Sequence, residues 1–378
     1  MSDSSRRSIS TSPTPPPQSL TELQLLSAFF YDKSQKDVLK HCLGLEPIPD
    51  APALANSAIV VCFDTEGWTA DPSKITEVGL SVFDSRDLRP LDPGPHGENY
   101  LKQIWFYHIR IQPNAHLLNI RFCVGHPETN RFGQTRFLTP EEAQGCLKEC
   151  FGWHVDPKKP ELGYCPVVVV GHALGNDLRK LYMTLGFDPY ALGNIVKVID
   201  TQQLARQCGK WSHAFDQIGL ERLVGRCGFA YRDAHTASND AAMTIISAIQ
   251  MVLPKNVGVD SGKSVQNVVD IVEKASKAHS WSWGSAKYCL RCGSRGHTQK
   301  NFKGKPCYVA VKCHHCVNAG RIAASNSHRT ECCISYTLDQ AVLNRVPKIK
   351  VVPAGADSLQ EGAGESEEED ENTDWGDY

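Results

Sequence analysis

The sequence predicts an α/β fold: a mixed five-stranded sheet flanked by helices, with a small C-terminal zinc-binding module and disordered termini. Two β-branched runs, Ile59 to Phe63 and Val167 to Val170, have the continuous apolar character of strands buried on both faces. Stretches between and after them repeat apolar residues at helical spacing. Seven of the fifteen cysteines crowd between Cys289 and Cys333. In an intracellular chain such clustering argues for metal ligands or buried thiols rather than disulfides.

At 378 residues the chain has room for two domains plus tails. It contains no apolar run of about 18 residues and no secretory signal, so it is expected to be soluble and intracellular, in nucleus or cytoplasm, with no membrane partner. The formal net charge of −2 hides a strong asymmetry. From Trp281 to Lys350 twelve Lys and Arg face two acids, whereas Val351 to Tyr378 holds ten acids and no base.

The elements follow in order. Residues 1–19, rich in Ser, Pro and Thr, are expected to be a disordered tail. Residues 20–50 carry Leu23, Leu26, Phe29, Phe30, Val38 and Leu39 at helical spacing and form one or two short helices. The main domain spans 55–255, with strands at 58–64, 76–83, 105–112, 166–171 and 195–199. Helical patterns lie at 140–152, 176–185, 201–208, 216–228 and 237–253, an alternation that suits a mixed sheet covered by helices. Arg86 to Lys102, rich in Pro and Gly, reads as a surface loop. A polar, partly helical connector (256–285) leads to the cysteine-rich module (286–335), and residues 351–378 form an acidic disordered tail.

The first run ends in Asp64-Thr65-Glu66. Residues two apart on a strand point the same way, so both carboxylates project together, just past the carboxyl end of the strand where open α/β sheets place ligands. Two such like charges resist ionising unless a cation lies between them. Asp177 follows the second run, near the start of a helix. Asp240 sits in the first turn of another helix, and His235 lies in the loop before it. Taken singly these are a solvated turn, two helix-terminal acids and a loop histidine.

Together and in this order, strand-D-x-E, strand-x-D-helix and H-x4-D-helix resemble the DEDDh 3′–5′ exonucleases of the ribonuclease-H-like superfamily, over about residues 58–253. With the Cys/His segment that follows, the chain looks closest to a fungal group carrying a C-terminal zinc-knuckle region. The resemblance implies that Asp64, Glu66, Asp177 and Asp240 hold two Mg²⁺ or Mn²⁺ ions, hard cations that prefer oxygen ligands. It also implies that His235 is the general base, ahead of Tyr231, which stands at the wrong spacing from Asp240. The expected activity is hydrolysis of single-stranded nucleic acid, RNA ahead of DNA, by a two-metal mechanism. Ala173 and Asn176 stand where these enzymes often carry Asn and an aromatic residue, which blurs the substrate. The long stretch between Glu66 and Asp177 could reshape the entrance. The competing reading is a catalytically silent RNA-binding adaptor with the nuclease fold as scaffold.

Cys289-x2-Cys292-x4-His297 resembles a zinc knuckle whose fourth position holds Phe302; Cys307 could serve instead. Cys313, Cys316, His328 and Cys333 form a second set, with Cys332 competing. Such spacing points to one or two structural Zn²⁺ ions. Arg291, Arg295, Lys300, Lys303 and Lys305 could neutralise phosphates and Tyr288 could stack on bases, making single-stranded nucleic acid, and protein partners in RNA processing, the expected partners.

Overall fold

A computed structural model describes residues 20–345, except 214–215, 255–256, 259–260 and 301–303. The predicted tails, and the roles given to Phe302 and Lys303, lie outside the described residues.

Six strands form one mixed sheet in the order β4-β3-β2-β1-β5-β6. They are β1 (Ile59–Trp68), β2 (Asp71–Asp84), β3 (Trp105–Ile111), β4 (Gln134–Leu138), β5 (Val167–Gly171) and β6 (Ile195–Asp200). β1, β2 and β3 run antiparallel in sequence, while β4, β5 and β6 join their neighbours in parallel. The five predicted strands are present; β4 is the addition. Its sequence, Gln-Thr-Arg-Phe-Leu, is only half-buried over the first three residues. As the outer strand it lacks the apolar run that marks β1 and β5.

Alternation along the central strands sorts the core into two halves. Val60, Cys62, Val168 and Val170 pack toward α1 (Glu22–Tyr31), α2 (Gln35–Cys42), α7 (Thr201–Gln207), α8 (Leu220–Arg226), α9 (Ala237–Val252) and α10 (Val265–Ser276). Ile59, Val61, Phe63, Val167 and Val169 pack toward α5 (Pro140–Phe151) and α6 (Gly175–Leu185). α9 is buried on nearly its whole circumference, polar Ser238, Asn239, Asp240, Thr244 and Ser247 included. Its first turn lies on β2 because residue 79 is glycine: a Cβ there would fall 2.1 Å from the Ala237 carbonyl oxygen.

Two expectations need correction. Arg86 to Lys102 is not simply a surface loop. It begins within α3 (Ser85–Leu88) and includes α4 (Glu98–Leu101), which buries Tyr100 and Leu101 in the core. Asp64 and Glu66 do not lie past the end of a strand either. The β1–β2 ladder continues beyond them to Trp68, with register shifts around Gly67.

The cysteine-rich module contains α11 (His314–Asn318), α12 (Ile322–Ser325) and α13 (Ile334–Arg345). It is fastened to the sheet's outer edge. Phe137 of β4 exchanges backbone hydrogen bonds with Ser285 and stacks on Tyr288 at 5.5 Å. Arg295 pairs with Glu142 of α5, and Trp283 donates to Glu149. Among the described residues no helix is long and apolar enough to cross a membrane.

Candidate active site and Cys/His centres

Strand parity divides the acids between the two faces of β1. Asp64 and Glu66 share the parity of Val60 and Cys62, the α9 side, whereas Thr65 shares that of Val61 and Phe63, the α6 side. From α9, Asp240 closes on this face of β1: ligand atoms of Glu66, His235 and Asp240 lie within 4.8 Å of one another. From α6, Asp177 is tied to β1 by Thr65, whose amide and hydroxyl donate to its Oδ1 at 3.1 and 2.5 Å. The five residues singled out in sequence therefore gather around the central strand β1: Glu66, His235 and Asp240 in direct proximity, Asp177 through Thr65, and Asp64 near enough to feel the charges of Asp177, Asp240 and Glu66.

The electrostatics are those of crowded, desolvated carboxylates. Burial, then repulsion from Asp177, Asp240 and Glu66, holds Asp64 well above the usual carboxylate range. Glu66 is raised by burial, then by repulsion from Asp240 and Glu77. Burial raises Asp177 as well and pushes Asp240 up to about 7, although the His235 amide donates to its Oδ2 at 3.0 Å and the neighbouring Tyr231 hydroxyl favours the carboxylate. Oδ2 of Asp64 and Oδ1 of Asp240 are buried without a hydrogen-bond partner. Buried polar atoms normally find one, and a divalent cation is the partner that four converging carboxylates fit. Burial lowers the pKa of the half-buried His235 imidazole, favouring its neutral form.

Several supporting residues escaped the sequence reading. Lys180 donates to the Thr65 carbonyl at 3.1 Å, and its charge counters Asp64, Glu66 and Asp177. Its position three residues after Asp177 on a helix was the available signal. Glu77, opposite Glu66 on β2, accepts from His108 Nε2 at 2.9 Å and from the Ala237 amide at 3.3 Å. It thereby caps α9, which Thr236 leaves without a side-chain cap. Tyr231 is an electrostatic neighbour of Asp240: burial, then that charge, holds the phenol well above its usual range.

The two Cys/His sets are also assembled. Ligand atoms of Cys289, Cys292, His297 and Cys307 lie within 4.8 Å of one another, and so do those of Cys313, Cys316, His328 and Cys333. Neighbouring atoms sit at 3.3 Å (Cys292 Sγ to His297 Nε2), 3.7 Å (Cys316 Sγ to His328 Nε2) and 3.8 Å (Cys316 Sγ to Cys333 Sγ). Tetrahedral zinc with ordinary bond lengths sets such atoms roughly 3.5–3.8 Å apart, so both sets could hold zinc. Cys332 belongs to neither set. Of the residues expected to meet nucleic acid, Tyr288 and Arg295 have partners within the fold, Phe137 and Glu142. Arg291 reaches toward the Ser327 carbonyl, and Lys300 and Lys305 are exposed.

Residues 59–251 match the model of the DEDDh family described as DNA polymerase III subunit epsilon-like, C-terminal domain. The curated relatives include the Saccharomyces cerevisiae protein named Good for full DBP5 activity protein 2, 22% identical over 204 residues, which are 50% of this chain and 34% of that protein. A second, uncharacterized protein of the same yeast is 21% identical over 230 residues, 54% of this chain and 44% of that one. The chain thus spans less than half the length of either relative. Among solved structures, Escherichia coli exonuclease I in its zinc-bound complex with single-stranded DNA aligns at 12% identity and a TM-score of 0.33, covering 53% of this chain and 41% of the other. The matched segment spans the three acidic motifs and the whole sheet, and the chain belongs to the DEDDh exonuclease family.

Proposed function

We propose that the protein is a divalent-metal-dependent 3′–5′ exonuclease acting on single-stranded nucleic acid, RNA ahead of DNA. The observation that carries this reading is the gathering of Asp64, Asp177, Asp240, Glu66 and His235 around the central strand β1, with carboxylate oxygens of Asp64 and Asp240 buried and unpartnered. Bound between these carboxylates, two Mg²⁺ or Mn²⁺ ions would supply Lewis-acid stabilisation of the attacking and leaving oxygens of a phosphodiester. His235, kept neutral by burial, takes the proton of the attacking water on an imidazole nitrogen. The His235 amide and Thr65 orient Asp240 and Asp177, and Lys180 offsets part of the acids' mutual repulsion when the site is empty of cations. The two Cys/His sets would each hold a structural Zn²⁺. The preference for RNA rests on the likeness of the first set, Cys289, Cys292 and His297, to a zinc knuckle, a module that binds single-stranded RNA.

The test is digestion of 5′-labelled single-stranded RNA and DNA with Mg²⁺ or Mn²⁺. A ladder of single-nucleotide steps, lost in Asp64→Ala, supports the reading. Equal activity in both proteins, or none in either, returns the fold to the role of an RNA-binding scaffold.

A further inference from the structure

Near its end the connector carries Trp281 and Trp283, two large rings that have no part in the proposed reaction. Both are only partly buried. With Tyr107 of β3 and Trp153, just after α5, they line a cavity of about 480 Å³, a size that suits a small ligand or one long side chain. The cavity lies on the α5 side of the sheet, whereas Asp64 and Glu66 face the α9 side.

Its walls are held in place by the fold. Tyr107 and Trp281 meet edge to face, with ring centroids 5.1 Å apart and planes at 79°, so they stand as two adjoining walls. Trp281 Nε1 donates to the Gln134 carbonyl at 3.3 Å. Trp283 lies against α5 because residue 145 is glycine: a Cβ there would fall 2.6 Å from the indole ring. Its Nε1 donates to Glu149 Oε2 at 2.5 Å, which keeps that carboxylate at the cavity. Arg136, outside the lining, donates to the Trp283 carbonyl at 2.9 Å. Its guanidinium carbon lies 5.9 Å from the Trp281 ring centre, so this indole already receives a cation.

Charge inside the cavity has one sign. Glu149 is the one acid of the lining, and no Lys or Arg joins it. Burial holds the Tyr107 phenol above its usual range. The neighbouring Cys146, together with burial, does the same for the Cys150 thiol, so neither adds charge.

We propose that this cavity is an aromatic cage for a methylated lysine side chain presented by a protein partner. Ring faces attract cations, and a methylated ammonium sheds its water at small cost because its surface is apolar. An unmodified ammonium is compact and strongly hydrated, and its donors would find too few acceptors here. A guanidinium seeks both oxygens of a carboxylate, one of which Trp283 already occupies. The exposed Ser280 and Ser282 of the lining offer hydroxyls to the partner's backbone while the methylene stem spans the entrance. Nothing in this assignment depends on the nuclease reading.

The probe is N-acetyl-trimethyllysine methylamide, titrated into the full-length protein and followed by tryptophan fluorescence and by the NMR line width of its methyl protons. Its controls are the unmethylated lysine, the arginine counterpart, and the neutral isostere with carbon in place of nitrogen. The methylated cation should bind saturably, quench the tryptophans and hold about tenfold more tightly than the isostere. Glu149→Gln, which keeps an acceptor for Trp283 and removes the charge, should weaken it by roughly fivefold or more. Trp281→Ala should weaken it further and Trp281→Phe should retain much of the affinity, with urea midpoints checking that each variant folds. No saturable binding, equal affinity for the cation and its isostere, tighter binding of lysine or arginine, or full affinity in Glu149→Gln would each overturn the proposal.

Discussion

Thr65 holds Asp177 through two donors, its amide at 3.1 Å and its hydroxyl at 2.5 Å. The residue between the first two acids thus reaches through to the opposite face of β1 to fix the third. Groups that orient metal ligands typically contribute about 10- to 100-fold to affinity or activity. Thr65→Val, which keeps the amide and the shape but removes the hydroxyl, is expected to lower kcat/KM within that range and to raise the Mg²⁺ concentration needed for half-activity. Thr65→Ser should restore both. Unchanged metal dependence in the valine variant would remove Thr65 from the site.

The raised carboxylates make a prediction about pH. Folded-state pKa values above the unfolded ones contribute stability at low pH and withdraw it as pH rises through the folded values. Asp240 titrates at about 7, and Asp64 and Glu66 are raised well above their usual range. Protein freed of Mg²⁺ and Mn²⁺ but keeping its zinc should therefore lose Tm between pH 5.5 and 8. Adding Mg²⁺ should raise Tm at pH 8 and do little at pH 5.5. Calorimetry at both values decides, and an Mg²⁺ effect of equal size at the two would contradict the crowded-carboxylate account.

Ala173 adopts a φ of +57°, the left-handed region that a β-carbon disfavours. The related enzymes often carry Asn at this position, and Asn visits that region more readily than Ala. Ala173→Gly or Ala173→Asn should stabilise the protein by about 1 kcal/mol, read as a higher urea midpoint at unchanged m-value. A destabilised glycine variant would show that the Ala173 methyl packs usefully.

The second Cys/His set distinguishes adjacent cysteines. Cys333 lies within ligand distance of Cys313, Cys316 and His328, whereas Cys332 does not. Native mass spectrometry should find the same zinc content in Cys332→Ser as in the wild type and one ion fewer in Cys333→Ser. Loss from Cys332→Ser alone would reverse the assignment.

Much of this was legible in sequence because strong local signals coincide with the site. β1 and β5 announce themselves as unbroken apolar runs, and the acids follow them at fixed offsets. β4 was missed because Gln134, Thr135 and Arg136 look like loop and become strand only by pairing with Tyr107 to Ile109. Asp64 and Glu66 were identified but misplaced, since nothing local shows that the hairpin ladder runs on past Gly67. Glu77 with His108, and Thr65 with Asp177, are long-range pairs with separations of 31 and 112 residues. No periodicity records such a meeting.

The module's attachment to β4 has a mechanical consequence. Tyr288 stacks on Phe137, whose backbone also grips Ser285, and Arg295 is locked to Glu142 on the neighbouring helix. The first Cys/His set is bolted to the sheet, not tethered by a slack linker. Any strand touching both this module and the acids must cross a gap of fixed width. The protein would therefore measure its ligand like a ruler, and affinity plotted against strand length would climb in a step and not along a smooth curve.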